Sequence, residues 1–260
     1  MELIVENLTF AYSNRNILEH CSLSYATPDV MCILGHNGTG KSTLLQCLIG
    51  AFKPQEGSVR IDGRSVEDYT PRELAAKIAY IPQTSVPTFS FPCIDVVTMG
   101  RTAHMGYLAN PGAEEVEKAY EALEYLNITY LADQPYTDIS GGERQLVMIA
   151  SALCQDPELM ILDEPTAHLD FGNQYKFIQL VERLRDRGMG VLMTTHFPDH
   201  ALALDGTTAI LSHGSVQAIG AARDIITDES MSALYNIPVA VCDVGDRRIC
   251  IAGGLHDGLT

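Results

Sequence analysis

An α/β protein, with helices packed around a largely parallel sheet, is what this chain predicts, and three observations carry the prediction. Segments that read as strands alternate with segments that read as helices at both ends of the chain. A glycine-rich loop, Gly35-His-Asn-Gly-Thr-Gly-Lys41-Ser42, stands between one such strand and one such helix. The middle of the chain, from about Thr84 to Gln155, holds helical patterns and no strong strand. That contrast predicts a helical subdomain inserted into the α/β body.

Taken in order, residues 2–12 read as a strand, and 30–34, Val-Met-Cys-Ile-Leu, as a short buried one. Residues 43–49 follow the glycine-rich loop as a helix. Strands are expected at 58–62 and 78–81. Between them Thr70-Pro71-Arg72-Glu73 starts a helix, with Thr as N-cap, Pro at the first helical position and Glu completing a capping box. In the middle region helices are expected near 93–99, 113–126 and 142–153. Strands return at 159–163, 191–195 and 208–212. Residues 171–187 read as an amphipathic helix, with Phe171, Tyr175, Ile178, Val181 and Leu184 on one face and Gly188 as its stop. Past Gly220 the signal weakens into short elements.

Composition narrows the partners. The 260 residues suffice for one large domain or a domain with a subdomain, and 46% hydrophobic content is ample for a core. There are 33 acidic and 17 basic residues, a formal net charge of −16, which argues against a free-standing nucleic-acid binder. No apolar run reaches the ~18 residues that span a bilayer. Met1-Glu-Leu-Ile-Val-Glu-Asn reads as a strand and lacks the regions of a signal peptide, so a soluble, cytoplasmic chain is expected. Seven cysteines, with Cys32, Cys47, Cys93 and Cys154 in apolar patterns and no C-x-x-C spacing, read as small core residues in a reducing compartment. His196 and His200 are four apart, but Pro198 lies between them and no third ligand stands nearby, which argues against a metal site there.

The chemistry begins at the glycine-rich loop, which fits G-x-x-x-x-G-K-[ST] at every position. Glycines let the backbone wrap a polyphosphate with successive N–H groups pointing inward, and the following helix adds its positive end. Lys41 would reach the β- and γ-phosphates, and the Ser42 hydroxyl would ligate Mg²⁺. The pattern implies a nucleoside-triphosphate site. Leu159-Met-Ile-Leu-Asp163-Glu164-Pro165 is an apolar strand ending in two acids, at the edge where a parallel sheet presents its ligand crevice. Asp163 would hold Mg²⁺, directly or through water, and Glu164 would polarise a water against the γ-phosphate. A third stretch, Ile139-Ser140-Gly141-Gly142-Glu143-Arg144-Gln145, is formally a capping box whose glycines leave a helix N-terminus uncovered. The phosphate loop already fills that role within one chain, so a second such site suggests an anion brought by another subunit.

Together these residues resemble the nucleotide-binding subunit of an ATP-binding cassette (ABC) transporter, over roughly residues 1–220. Gly35, His36, Asn37, Gly38, Thr39, Gly40, Lys41 and Ser42 match the Walker A motif, with Thr43 beside them, and 159–164 match Walker B. Ser140, Gly141 and Gly142 resemble the signature Leu-Ser-Gly-Gly-Gln, with Ile139 for Leu and Glu143 for Gln. That glutamate places negative charge near phosphate, and its role stays open. Tyr12 matches the aromatic that stacks on adenine. Gln83 matches the Q-loop glutamine, Asp170 the D-loop and His196 the switch histidine. The resemblance implies an α/β fold with a P-loop NTPase core, an N-terminal antiparallel β region and an inserted helical subdomain. It divides the chain into a core at 1–83 and 156–220, a helical signature subdomain at 84–155 and a short C-terminal extension at 221–260.

It also implies an ATPase using ATP and Mg²⁺. Glu164 would be general base, His196 would hold the γ-phosphate, and Gln83 would sense Mg²⁺ and the attacking water. Two copies would stack head to tail, each ATP lying between one copy's phosphate loop and the other's Ser140, Gly141 and Gly142, with Asp170 nearby. The stretch from Gln83 to Pro92, with Phe89 and Phe91 between prolines, would receive a short cytoplasmic helix of a membrane permease. A periplasmic or lipoprotein substrate-binding protein would join indirectly. The protein would sit peripherally on the cytoplasmic face of the membrane. Residues 166–174 and 194–202 resemble the importers of iron–siderophore, haem, cobalamin and related chelates or oxyanions. Iron chelate leads, with cobalamin or molybdate-type import behind. A soluble non-transport ABC ATPase fits less well, since the chain shows neither long coiled-coil insertions nor two cassettes. A switch GTPase would need an Asn-Lys-x-Asp motif that is not there.

Overall fold

The computed structural model describes residues 1–83, 90–106, 109–167 and 169–253. A long hairpin comes first, β1 (Glu2–Tyr12) and β2 (Arg15–Ala26), followed by β3 (Val30–Leu34) and α1 (Lys41–Leu48). Next are β4 (Glu56–Ile61), β5 (Arg64–Ser65), α2 (Pro71–Lys77) and β6 (Ile78–Ile81). Among the described residues three helices then follow without an intervening strand: α3 (Cys93–Thr98), α4 (Ala113–Tyr125) and α5 (Gly141–Cys154). The chain returns to alternation with β7 (Leu159–Leu162), α6 (Phe171–Asp186), β8 (Gly190–Thr195), α7 (Pro198–Leu204) and β9 (Thr207–Ser212). It continues through β10 (Ser215–Ala221), α8 (Ala222–Ile225), α9 (Asp228–Tyr235) and a hairpin, β11 (Val239–Val244) with β12 (Arg247–Ala252).

Among the described residues one sheet is antiparallel, in the order β2-β1-β4-β5. The larger sheet runs β10-β9-β3-β8-β7-β6 and is parallel from β9 to β6, with β10 antiparallel at its edge. Strand β3 sits inside this sheet and is buried on both faces, which is why its sequence is a continuous apolar run. Its alternate residues serve two cores. Val30, Cys32 and Leu34 face α6, α7 and the three middle helices, whereas Met31 and Ile33 face α1 and the antiparallel sheet. Helix α1 is thereby wedged between the sheets through Leu44, Leu45, Cys47 and Leu48. The phosphate loop is thus anchored at both ends by buried elements.

Every strand read from the sequence is present, and each shifts by no more than two residues at an end. The Thr70 capping box forms, with the Glu73 amide donating to Thr70 Oγ1 and the Thr70 amide to Glu73 Oε2. Cys32, Cys47, Cys93 and Cys154 are buried. Two readings need correction. Strand β2 carries no expectation from the sequence, because its alternation breaks at Glu19-His20, where His20 has φ +50°. The apolar face expected for α6 is also misplaced at its start. Phe171 is 89% exposed and Tyr175 45% exposed, and the buried stripe is Phe177, Ile178, Leu180, Val181 and Leu184. Only the later turns of α6 lie against the sheet. No helix among the described residues is long and apolar enough to cross a membrane.

Candidate functional site

The loop after β3 is shaped by glycine. Gly40 has φ +101°, a left-handed conformation that disfavours any side chain, and a Cβ there would also crowd Leu18 Cδ2 at 2.8 Å and Ile17 O at 3.1 Å. Helix α1 starts with no capping side chain and no acidic residue in its first turn. Its N-terminal amides keep their positive potential for an anion. Thr39 Oγ1 donates to His36 O at 3.0 Å and closes the loop on itself. Gly35, Gly40 and Thr43 are buried with Thr39, while His36, Asn37, Gly38 and Ser42 face solvent.

Lys41 is 4% exposed, and its ammonium makes three contacts. It donates to Gly35 O at 2.8 Å and His36 O at 3.1 Å, and pairs with Glu164 Oε1 at 2.9 Å. Three donors meet three acceptors, so the charge is fully partnered. Glu164 is itself a junction. Its second oxygen accepts from Gln83 Nε2 at 3.1 Å and lies 3.6 Å from His196 Nδ1. Its backbone has φ +47°, a strained value for a glutamate, held in place by these partners. Lys41 at the start of α1, Gln83 after β6 and His196 after β8 converge on the carboxylate of Glu164, which follows β7. They sit where such sheets present their ligand crevice.

Asp163 is 3% exposed and accepts from Thr194 Oγ1 at 2.7 Å; the same hydroxyl accepts from the Glu164 amide at 2.8 Å. Thr194 therefore fixes both acids, a role that sequence reasoning missed. The parallel register of β7 with β8, Leu162 opposite Met193, is what brings Thr194 there. The only local signal was a Thr-Thr doublet ending an apolar strand. Burial and the neighbouring Asp163 carboxylate push the Tyr80 phenol up to about 12.

Ser42, Gln83 and Asp163 fit Mg²⁺ by donor chemistry, since they are a hydroxyl, an amide and one carboxylate, all hard oxygen donors. A single protein carboxylate suits an ion that takes its remaining ligands from phosphate and water. Among the described residues no cluster of three His, Cys, Asp or Glu forms a protein-only metal cage.

The other expected residues lie apart from this centre. Tyr12 is 49% exposed on the antiparallel sheet, braced edge-on by Phe10 at 5.1 Å and Phe52 at 5.8 Å, two aromatics the sequence reading did not include. Asp170 caps α6, accepting from the Asn173 amide at 2.8 Å. Ser140 caps α5, and both it and Gly142 line a cleft of about 940 Å³ with Glu143, Tyr130, Lys176 and Arg183. No phosphate-loop residue borders that cleft. Glu143 completes the capping box: Ser140 Oγ donates to Glu143 Oε2 at 2.7 Å and the Ser140 amide donates at 2.9 Å. These bonds hold the Glu143 carboxyl below the usual carboxylate range. His200 packs behind the site against the Thr166 and Thr195 hydroxyls, each 3.4 Å from Nδ1. Phe91 is exposed, and 84–89, including Phe89, lie outside the described residues.

A phosphate loop, a strand-end acid pair and a polar triad around the second acid define a nucleoside-triphosphate hydrolase of the P-loop class. The ABC transporter family matches residues 18–167, and the chain belongs to that family as an ATP-binding, ATP-hydrolysing subunit. It is 36% identical over 97% of its length to a "Probable iron chelatin transport ATP-binding protein" of Helicobacter pylori, covering 100% of that protein. It is 35% identical over 91% of its length to the "Molybdate import ATP-binding protein MolC" of Haemophilus influenzae, covering 89% of that protein. Among solved structures, an ABC transporter described as metal-chelate type, in an inward-facing conformation, superposes with a TM-score of 0.85. The two are 33% identical, and the match covers 98% of each chain.

Proposed function

We propose that this chain powers uptake of a metal chelate, iron–siderophore or haem, through a membrane permease, working as a head-to-tail dimer on the cytoplasmic face of the membrane. The observation that carries the hydrolytic part is the convergence of Lys41, Gln83 and His196 on Glu164. Glu164 takes the proton of the attacking water, Gln83 and His196 orient that water and the γ-phosphate, and Lys41 neutralises the phosphate's charge. Ser42, Gln83 and Asp163 would hold Mg²⁺, which would supply further neutralisation of the phosphate charge.

The separation of the phosphate loop from the cleft at Ser140 and Gly142 supports the dimer reading. The cleft at the α5 start, lined by Ser140 and Gly142, borders no phosphate-loop residue, so a second copy is the natural source of a phosphate for Ser140, Gly141 and Gly142. Asp170 would line the same interface. ATP that binds the closed dimer better than the open one drives the motion; moving that equilibrium from 1:99 to 99:1 takes about 5.5 kcal/mol. The division into a core (1–83, 156–220), a helical segment (84–155) and a C-terminal extension (221–260) assigns these roles to separate parts. The stretch from Gln83 to Pro92 is the permease contact in this reading, and a substrate-binding protein delivers cargo from the far side.

Support for an iron chelate comes from the Helicobacter relative and the metal-chelate transporter. The molybdate relative is nearly as similar, and it favours an oxyanion as the second reading. The test is reconstitution with the permease in proteoliposomes. ATPase activity stimulated by binding protein loaded with ferric chelate, and not with molybdate, is expected. Stimulation by molybdate alone overturns the cargo, and failure to associate with any permease overturns transport.

A further inference from the structure

The loop that carries His196 is gripped from two sides. On the sheet side, Thr195 Oγ1 accepts from the Phe197 amide at 3.0 Å. On the outer side, the hydroxyl of Tyr235, the last residue of α9, donates to His196 O at 2.7 Å. These bonds fix the backbone at His196, whose side chain is 32% exposed. Its Nδ1 is buried without a hydrogen-bond partner among the described residues, and Glu164 Oε2 lies 3.6 Å away. A buried nitrogen aimed at the reacting centre is placed for a ligand atom.

Tyr235 is anchored well enough to transmit position. Helix α9 is capped by Thr227, whose Oγ1 accepts from the Ser230 amide, and it buries Met231 and Leu234. The terminal hairpin ties α9 to α7: the Val239 amide donates to Ser232 Oγ at 2.9 Å, and the Cys250 amide donates to Asp199 Oδ1 at 2.8 Å. Arg247 adds a bond to Tyr175 OH on α6 at 3.0 Å. A closed circuit therefore runs from His196 through Tyr235, α9 and the hairpin to Asp199, three residues after His196. Burial raises the Tyr235 phenol far above working pH, so it remains a donor.

We propose that Tyr235 is a positioning residue for hydrolysis, fixing the His196 carbonyl so that the imidazole keeps its reach toward the γ-phosphate. The C-terminal segment is then part of the hydrolytic machinery. The inference rests on the reading of His196 given above. Removing the hydroxyl leaves the phosphate loop intact, so the effect falls on turnover and not on nucleotide binding.

The test is steady-state ATPase of the full chain for Tyr235→Phe, His196→Ala and the double variant, with fluorescent-ATP titration and thermal melts. Tyr235→Phe is expected to lower kcat about 5- to 10-fold, the effect of one lost hydrogen bond, with KM changed by less than about twofold. In the His196→Ala background it is expected to add nothing. Normal kcat in Tyr235→Phe beside an impaired His196→Ala overturns the positioning role alone, and so does an equal loss in both backgrounds. Normal kcat in His196→Ala overturns the reading of the histidine and this inference with it. If Tyr235→Phe melts far below the parent, Asp199→Ala, which frees the hairpin from α7 at the surface, supplies the same comparison. Its kcat is expected to fall in wild type and not in the His196→Ala background, and an unchanged kcat overturns the proposal.

Discussion

Lys41 Nζ and Glu164 Oε1 lie 2.9 Å apart with both side chains buried, a closed ion pair between the lysine of the phosphate loop and the acid after Asp163. A γ-phosphate that reaches Lys41 must displace this carboxylate. The displaced Glu164 is then free to face water, still within reach of Gln83 and His196. In the proposed mechanism, nucleotide binding and release of Glu164 to act as base become a single exchange of partners.

Glu164→Gln tests the second half of that exchange. Without a base, turnover is expected to fall ~10²–10⁴-fold. ATP affinity is expected to hold or tighten, because the amide competes less well for Lys41. Near-normal steady-state ATPase in this variant would remove Glu164 from the mechanism.

Lys41→Ala tests the first half, and it has a stability signature too. The change leaves Glu164 buried without its cation, which costs about 3 kcal/mol for a broken buried pair. Glu164→Gln costs less, since Lys41 keeps the Gly35 and His36 carbonyls. The double variant is expected to recover part of the lysine's loss in urea melts. Fluorescent-ATP binding by Lys41→Ala at wild-type affinity would contradict the phosphate role.

Tyr12 offers a ring half open to solvent and backed by Phe10 and Phe52. A base stacked on such a platform gains about 1–3 kcal/mol. Tyr12→Ala is expected to weaken ATP about tenfold and inorganic triphosphate hardly at all, as read by competition titration. Equal weakening of both would mean that the tyrosine only supports the sheet.

What the sequence revealed and what it hid divides by range. The phosphate loop was legible because glycines, strand and helix lie within about twenty residues and each obeys a local rule. Glu164 was legible as a strand-end acid, but its contact with Lys41 spans more than a hundred positions and exists only through strand order. Thr194 depends on the β7–β8 register, which no local pattern encodes. Strand β2 was hidden by the irregularity at His20, which puts the alternation out of phase. Phe171 and Tyr175 have helical spacing, but periodicity cannot say which turns of α6 outrun the sheet.

His200 makes stability depend on pH. Burial, with His196 nearby, pushes its imidazole down from 6.5 to about 4. Below 6.5 the unfolded chain takes up a proton that the folded chain refuses until about 4. The contribution is therefore fully present above pH 6.5 and is lost as pH falls toward 4. His200→Gln is expected to flatten the difference between urea melts at pH 7.5 and 5. An unchanged pH slope would show that other groups set it.

Glu143 stands where the family signature has Gln, and it holds the Ser140 hydroxyl by a charge-assisted bond of 2.7 Å. That hydroxyl is the group a partner's phosphate would have to recruit. Hydrogen bonds keep the carboxyl ionised, so closure of the proposed dimer meets both repulsion and competition. Glu143→Gln preserves an acceptor for the Ser140 amide, and the helix cap survives with little loss of stability. In a Glu164→Gln background, where ATP persists, the ATP concentration giving half-maximal dimer is expected to fall about 3- to 10-fold, measured by sedimentation. Glu143→Ala separates the two effects: it removes the same charge and also the acceptor for the Ser140 amide and hydroxyl, while the Ser140 Oγ cap on the residue-143 amide remains. A dimer weakened by Glu143→Gln would mean that the carboxylate helps to close the interface, through a basic group of the second copy.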